Sequence, residues 1–341
     1  MLHATRRLLT EDLHPREREA LVSVVSVRGG GEDAEALLRR LLGDPAANRD
    51  LLDPIVRQGD AAMVQQLHDR FVDADRLVEG ADPKLLWAFG WAGLEQARPM
   101  LFRHACEMNW DTAPAAVDGL VHLSPVGLED EVRAAVTSCG GRNIFPEHLP
   151  ALAGWIGDVD LIDPFLRDSG GENPSSDCMA GIILAIGLLG PAGRGRLHDL
   201  FWTSHHPSIW NDQPRATGVA MRAVGLTAAE LAIELRSRLK AFEAEPPHWW
   251  FCLVRAMGSQ QVVDRGHPAA WRFLPPPEPL PDLWTALFGG GYGEGLGQLA
   301  SDRLASEGGW INKEYFELQR AIETLIPHEI LAAELTEARV A

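Results

Sequence analysis

The sequence predicts an all-α protein, an α-solenoid of stacked antiparallel helix pairs. Three observations carry that prediction. Glycines recur at Gly31, Gly59, Gly93, Gly127, Gly157, Gly190, Gly225 and Gly258, with gaps of 28, 34, 34, 30, 33, 35 and 33 residues. Four residues before each stands an apolar side chain: Val27, Ile55, Phe89, Leu123, Ala153, Ile186, Met221 and Val254. At 46% apolar composition, eight of eight has a chance probability of roughly 0.002, so the period is patterned. Finally, Ala, Leu, Arg and Glu dominate between Gly and Pro punctuation, and alternating β-branched stretches are few, which favours helix.

The stretch Leu149–Asp168, LPALAGWIGDVDLIDPFLRD, shows one unit. An apolar helix runs into Gly157-Asp158, and an amphipathic helix follows. Glycine adopts the left-handed conformation that ends a helix, and aspartate caps the next N-terminus. Gly59-Asp60 repeats the arrangement. Gly90, Gly154 and Gly187 each precede a repeat glycine by three, giving GWAG, GWIG and GLLG; RAVG at 222–225 returns as RAMG at 255–258. Second helices of each pair include DAAMVQQLHDRFV and LEDEVRAAVTS, each polar on one side and apolar on the other. Trp155 is read as packing between units and Asp158 as a helix cap.

A period of 30–35 residues with two helices in each is the signature of a stacked helical array. With its apolar first helix, Gly-Asp turn and amphipathic second helix, the stretch Glu32–Gly266 resembles the HEAT-repeat class, especially the short bacterial HEAT repeats. The resemblance implies a HEAT/armadillo-like superhelix. Tetratricopeptide and ankyrin signatures are missing. The organisation expected is helices capping the N-terminal end over 1–30, repeats over 31–266, a Pro/Gly-rich irregular segment over 267–295, and helices capping the other end over 296–341. The irregular segment contains PPPEPLPDLW and GGGYGEG. The glycine run lacks the GK[ST] ending of a phosphate-binding loop and is read as a linker.

Charge narrows the partners. The chain carries 48 acidic and 31 basic residues, a net charge of −17. Gripping a phosphate backbone takes clustered Lys and Arg, so nucleic acid and anionic membrane surfaces are not expected partners. A basic protein or peptide is. No apolar run approaches the length of a membrane span. MLHATRRLLTEDLH at the start lacks the apolar core of a secretory leader. Cys106, Cys139, Cys178 and Cys252 are far apart and show no metal-ligand spacing, as expected of reduced thiols in a cytoplasmic protein.

The candidate site lies where the pattern breaks. Phe201–Pro214, FWTSHHPSIWNDQP, holds Trp202, His205, His206, Trp210 and Asp212. An aromatic loop on a rigid scaffold suits a contact surface or a ligand lid. Its adjacent histidines lack a third ligand at recognisable spacing, so no metal and no cofactor are expected. Asp158, Asp160 and Asp163 read as a solvated first turn. His104 and Glu107 share a helical face. Among HEAT-like enzymes, deoxyhypusine hydroxylase holds two irons with repeated His-Glu dipeptides. Here only His328-Glu329 has that order, and the other pairs, His104 with Glu107 and Glu147-His148, fall out of phase with the repeat. HEAT-like DNA glycosylases use a basic concave face, which the charge opposes. Phycobilin lyases share the short repeat, but no lyase-specific residue is identified.

The function expected is therefore non-catalytic binding of a protein or peptide, as scaffold, adaptor or inhibitor, by shape and acidic complementarity with exposed tryptophans as anchors. A bacterial toxin-neutralising immunity protein is a specific member of that class. The alternative is a HEAT-like enzyme with a small-molecule pocket under the 201–214 loop. A deep apolar pocket with convergent polar groups favours the enzyme, a shallow acidic groove the binder.

Overall fold

The computed structural model of the 341-residue chain describes residues 1–140, 142, 144–166, 176–203, 213–241 and 271–276, with single positions elsewhere such as 256 and 291. The chain divides into two compact units, Met1–Ala185 with Val263–Phe273, and Ile186–Val262 with Leu274–Ala341.

The fold is mostly helical, as the composition predicts. The first unit begins with α1 (His3–Thr10), α2 (Pro15–Arg28), α3 (Gly31–Gly43), α4 (Leu52–Gln58) and α5 (Ala61–Phe71). It continues with α6 (Lys84–Trp91), α7 (Arg98–Ala105), α8 (Thr112–Leu120), α9 (Glu129–Cys139), α10 (Ala151–Trp155) and α11 (Asp163–Leu166). Helix α12 (Ser176–Leu188) crosses the unit boundary. The second unit has α13 (Arg194–Thr203), α14 (Pro214–Val224) and α15 (Ala228–Ala241). Among the described residues no single helix is long and apolar enough to cross a membrane.

In the first unit α2, α4, α6 and α8 form a row in which each touches the next, while α3 packs on α4, α5 on α6, α7 on α8 and α9 on α10. Burial follows from that placement. Leu85, Leu86, Trp87, Ala88, Phe89 and Gly90 of α6 are all buried in succession, because this helix has neighbours on every side. Helix α5 buries only the stripe Val64, Leu67 and Phe71 and turns its other face to water. Each large side chain buried this way contributes roughly 1.5–3 kcal/mol.

Glycine lets the row close up. A Cβ on Gly90 would stand 2.0 Å from the Gly119 carbonyl oxygen, and one on Gly154 would stand 2.0 Å from that of Ala185. The backbones of neighbouring first helices touch there, and no side chain fits between them. Hydrogen bonds between pairs also step by about one period. Gln58 donates to the Ser26 carbonyl, Arg98 to that of Ser124, Trp155 to that of Leu123 and Arg194 to that of Gly225, at separations of 32, 26, 32 and 31 residues.

Gly93, Gly127, Gly157, Gly190 and Gly225 all have positive φ. At Gly93, Gly157 and Gly225 the two hydrogen bonds of a Schellman motif are formed, as in Leu94 N–H to Phe89 and Gly93 N–H to Gly90.

Two expected details are corrected. Gly31 opens α3, and the helix before it ends at Gly29, so Val27 is 62% exposed while Val25 is fully buried. The first repeat glycine is therefore Gly29, thirty residues before Gly59. Gly29 and Gly59 leave their helices in extended, not left-handed, geometry, at φ −67° and −86°. Glycine is needed there for another reason: a Cβ would collide with the carbonyl four residues back, at 2.6 and 2.4 Å.

The second helix predicted after Gly157 is shortened. Val159–Ile162 is a 3-10 turn and α11 has four residues, with Pro164 near its start. Asp60 caps α5 through the Met63 amide as expected. Asp158 accepts no capping bond and instead pairs with Arg133 at 2.9 Å. A hairpin, β1 (Val72–Asp73) and β2 (Arg76–Leu77), turns through Ala74 and Asp75 at φ 46° and 57°.

Candidate functional site

The aromatic loop singled out by sequence is described only at its two ends, 201–203 and 213–214. Trp202, in the last turn of α13, packs edge-on to Phe201 with ring centroids 4.6 Å apart, and Phe201 is fully buried. Its indole N–H lies 3.2 Å from His198 Nε2, which is also 2.7 Å from Glu234 Oε2. A protonated Nε2 cannot accept, so the shorter contact is the hydrogen bond and ring packing positions the indole. Trp202 thus belongs to the seam between α13 and α15. His205, His206, Trp210 and Asp212 lie outside the described residues, as does any pocket they form.

A cluster that sequence reasoning missed surrounds Trp91, the tryptophan of GWAG. Its ring centroid is 5.4 Å from that of Trp87 and 5.1 Å from that of His122, which meets it edge-on. Two guanidinium groups stand over the same ring, Arg57 at 5.1 Å and Arg272 at 5.5 Å. Phe273 rests against His122 at 6.2 Å and stacks on Trp271 at 5.4 Å. All of these residues lie in the first unit.

Local sequence explains the placement. Trp87 and Trp91 are four apart in α6 and share one face. Arg57 extends from α4, one period earlier, and pairs with Asp53 at 2.9 Å. His122 follows α8, one period later. The second contributor, Trp271–Phe273, comes from the segment expected to be irregular, and only the fold brings it here. The available signal was a Trp-Arg-Phe triplet just before prolines.

Polar atoms in the cluster are under-satisfied. Trp87 Nε1 and His122 Nε2 are buried and have no hydrogen-bond partner among the described residues. An unmade hydrogen bond at a buried group costs about 1–3 kcal/mol. Burial, helped by the positive charge of Arg272, pushes the His122 imidazole down to about 3, so it is neutral at physiological pH.

Other chemistry-bearing groups are engaged locally. His104 Nδ1 meets Glu107 Oε2 at 2.8 Å, as their shared face predicted, and His104 Nε2 is buried without a partner among the described residues. His148 lies between Asp118 and Glu147, at 3.7 and 3.6 Å, beyond hydrogen-bond length. Cys106 is exposed as a residue, yet crowding by protein atoms, with the charges of Cys139 and Glu107, pushes its thiol up to about 11. A thiol with that value is a poor nucleophile at neutral pH. Among the described residues no group of three or more His, Cys, Asp or Glu is arranged to hold a metal ion. A half-open cleft of about 370 Å³ lies between the α3–α4 connection, the hairpin and the start of α6. Of the three carboxylate residues at its wall, Asp44, Glu79 and Asp82, the first and last accept backbone amides of Ala47 and Lys84, so they serve the turns they stand in.

No family model, curated protein or solved structure matches this chain. The class defined by its own geometry is a mostly helical protein whose neighbouring helix pairs contact one another about every thirty residues.

Proposed function

We propose that this chain is a HEAT-like α-solenoid that binds a basic protein or peptide without catalysing a reaction. It would act as a scaffold, adaptor or inhibitor, and the toxin-neutralising role suits the same properties. The stepwise hydrogen bonds and the buried row of first helices support the solenoid reading, since nearest-neighbour contacts are what such arrays are made of.

One observation carries the binding reading. Large apolar side chains stand exposed on loops that join a second helix to the next first helix. Met108 and Trp110, 58% and 51% exposed, precede α8, and Ile144, 53% exposed, precedes α10. Trp110 and Ile144 are 34 residues apart, one period, and Asp111 adjoins Trp110. Exposed aromatic and aliphatic anchors among acids, on a chain of net charge −17, suit a partner that offers both cations and apolar surface.

Affinity capture with the full chain, at low salt and at about 0.5 M salt, tests this, because salt screens exposed charge pairs. A basic protein retained at low salt and lost at high salt is expected, and Trp110→Ala should weaken its capture. Partners indifferent to salt, or none, would overturn the electrostatic reading.

A further inference from the structure

We propose that Trp271-Arg272-Phe273 is an internal occupant of a docking surface formed by Trp91 and His122, and that the partner displaces it with a segment of the same aromatic–arginine–aromatic chemistry. The inference rests on the binding function proposed above and names the surface and the kind of segment it takes.

The way this triplet is held supports the assignment. The chain leaves the first unit at Ala185, returns to it over Val263–Phe273 and leaves again. Among the described residues, no hydrogen bond ties Trp271, Arg272, Phe273 or Leu274 to another part of the chain, and the next tie is at Pro275, whose carbonyl accepts from Arg222. Attachment is by ring contacts and a guanidinium over an indole, the means by which exposed peptides are recognised on aromatic surfaces. Such a segment leaves without breaking any backbone ladder.

Its fit is also incomplete. Phe273 is 54% exposed although it lies against His122 and Trp271. Arg272 shares the Trp91 ring with a second cation, Arg57, whose carboxylate partner is Asp53. Among the described residues no carboxylate pairs with Arg272. Two like charges at one indole weaken each other's hold. Trp271, 3% exposed, anchors the triplet, while Arg272 and Phe273 cover the surface loosely. A tethered segment of this kind lowers the apparent affinity of any competitor by the fraction of time it is docked. An acidic chain that keeps an arginine triplet of its own on an aromatic face thereby shields that face from unrelated basic segments.

The test uses the full chain and a fluorescent peptide with the sequence of residues 268–277, PAAWRFLPPP. Binding is read by anisotropy to wild type, to the Arg272→Ala/Phe273→Ala variant, and to that variant with Trp91→Ala added. Helicity and melting of each are checked first, and Phe273→Ala alone replaces the double variant if the latter does not fold. Tighter binding to the released variant than to wild type, by about tenfold or more, is expected. Trp91→Ala should return it to the wild-type level. Equal binding to wild type and the released variant, no binding to either, or binding that ignores Trp91 would overturn the proposal. Capture of a basic partner that is unaffected by these variants would leave the binding function standing and remove this surface from it.

Discussion

Replacing Gly90 by alanine is the sharpest perturbation of the helix row. In an ordinary helix the change is favourable by about 1 kcal/mol, because alanine restricts the unfolded chain and glycine does not. Here the new methyl group would lie 2.0, 2.3 and 2.5 Å from the carbonyl oxygen, carbonyl carbon and Cα of Gly119. Ordinary contact begins at 3.4 Å, so α6 and α8 must separate by about an ångström. Both are backbone walls and cannot turn aside as a side chain would. Overpacking of this kind costs about 1–3 kcal/mol and sometimes more, against the favourable propensity. With the cost at the upper end of that range, a net loss of about 2 kcal/mol is expected, or roughly 4–8 °C in melting temperature for a unit of this size. Gly43→Ala is the control, since nothing lies within 4 Å of its added methyl, and it should be neutral or stabilising by up to about 1 kcal/mol. Thermal and urea unfolding followed by circular dichroism decide the matter. A Gly90→Ala protein as stable as wild type would refute the backbone-to-backbone contact.

Other expectations follow from single residues. Gly157→Ala puts a side chain at φ 72° in open space, so it should lose about 1–2 kcal/mol by conformation alone, and Gly157→Asn should lose less in the same melts. His122, held near 3 when folded and near 6.5 when unfolded, makes the unfolded chain take up the proton as pH falls below 6.5. Wild type should therefore lose about 2 kcal/mol more than His122→Phe between pH 7 and pH 5; parallel pH–stability curves would contradict this. Trp155→Phe removes the hydrogen bond to the Leu123 carbonyl and should cost about 1 kcal/mol in urea unfolding.

The period was legible because the ends of the first helices favour glycine, either for left-handed backbone or, at Gly29 and Gly59, for want of room for a Cβ. Five of the repeat glycines are left-handed, the helix-ending conformation expected of glycine at such turns. The misreading at Gly31 has a simple cause. Gly29, Gly30 and Gly31 are consecutive, and composition cannot say which one ends the helix. The hairpin at Val72–Leu77 was missed because Ala74-Asp75 occupies a turn where Asn-Gly is the usual signal. Asp158 stands where a cap is expected, but an arginine on the preceding repeat claims its carboxylate.

Sites were less legible than helices. The cluster at Trp91 draws on Arg57, His122 and Phe273, which lie 34, 31 and 182 residues away. The first two distances are single periods and follow from the repeat. The third is a return of the chain, which no periodic pattern encodes. Trp155 is the counterpart of Trp91 in the later repeat, and there the indole merely bonds the preceding unit.

Small-angle X-ray scattering of the full chain tests the claim on which the function rests, that helix pairs stack in sequence from one end to the other. A compact protein of 341 residues has a radius of gyration of about 20 Å. An extended array should give a value clearly above that, with a skewed distance distribution and a long tail. A symmetric distribution with a radius of about 20 Å would contradict the solenoid and the binding surface built on it.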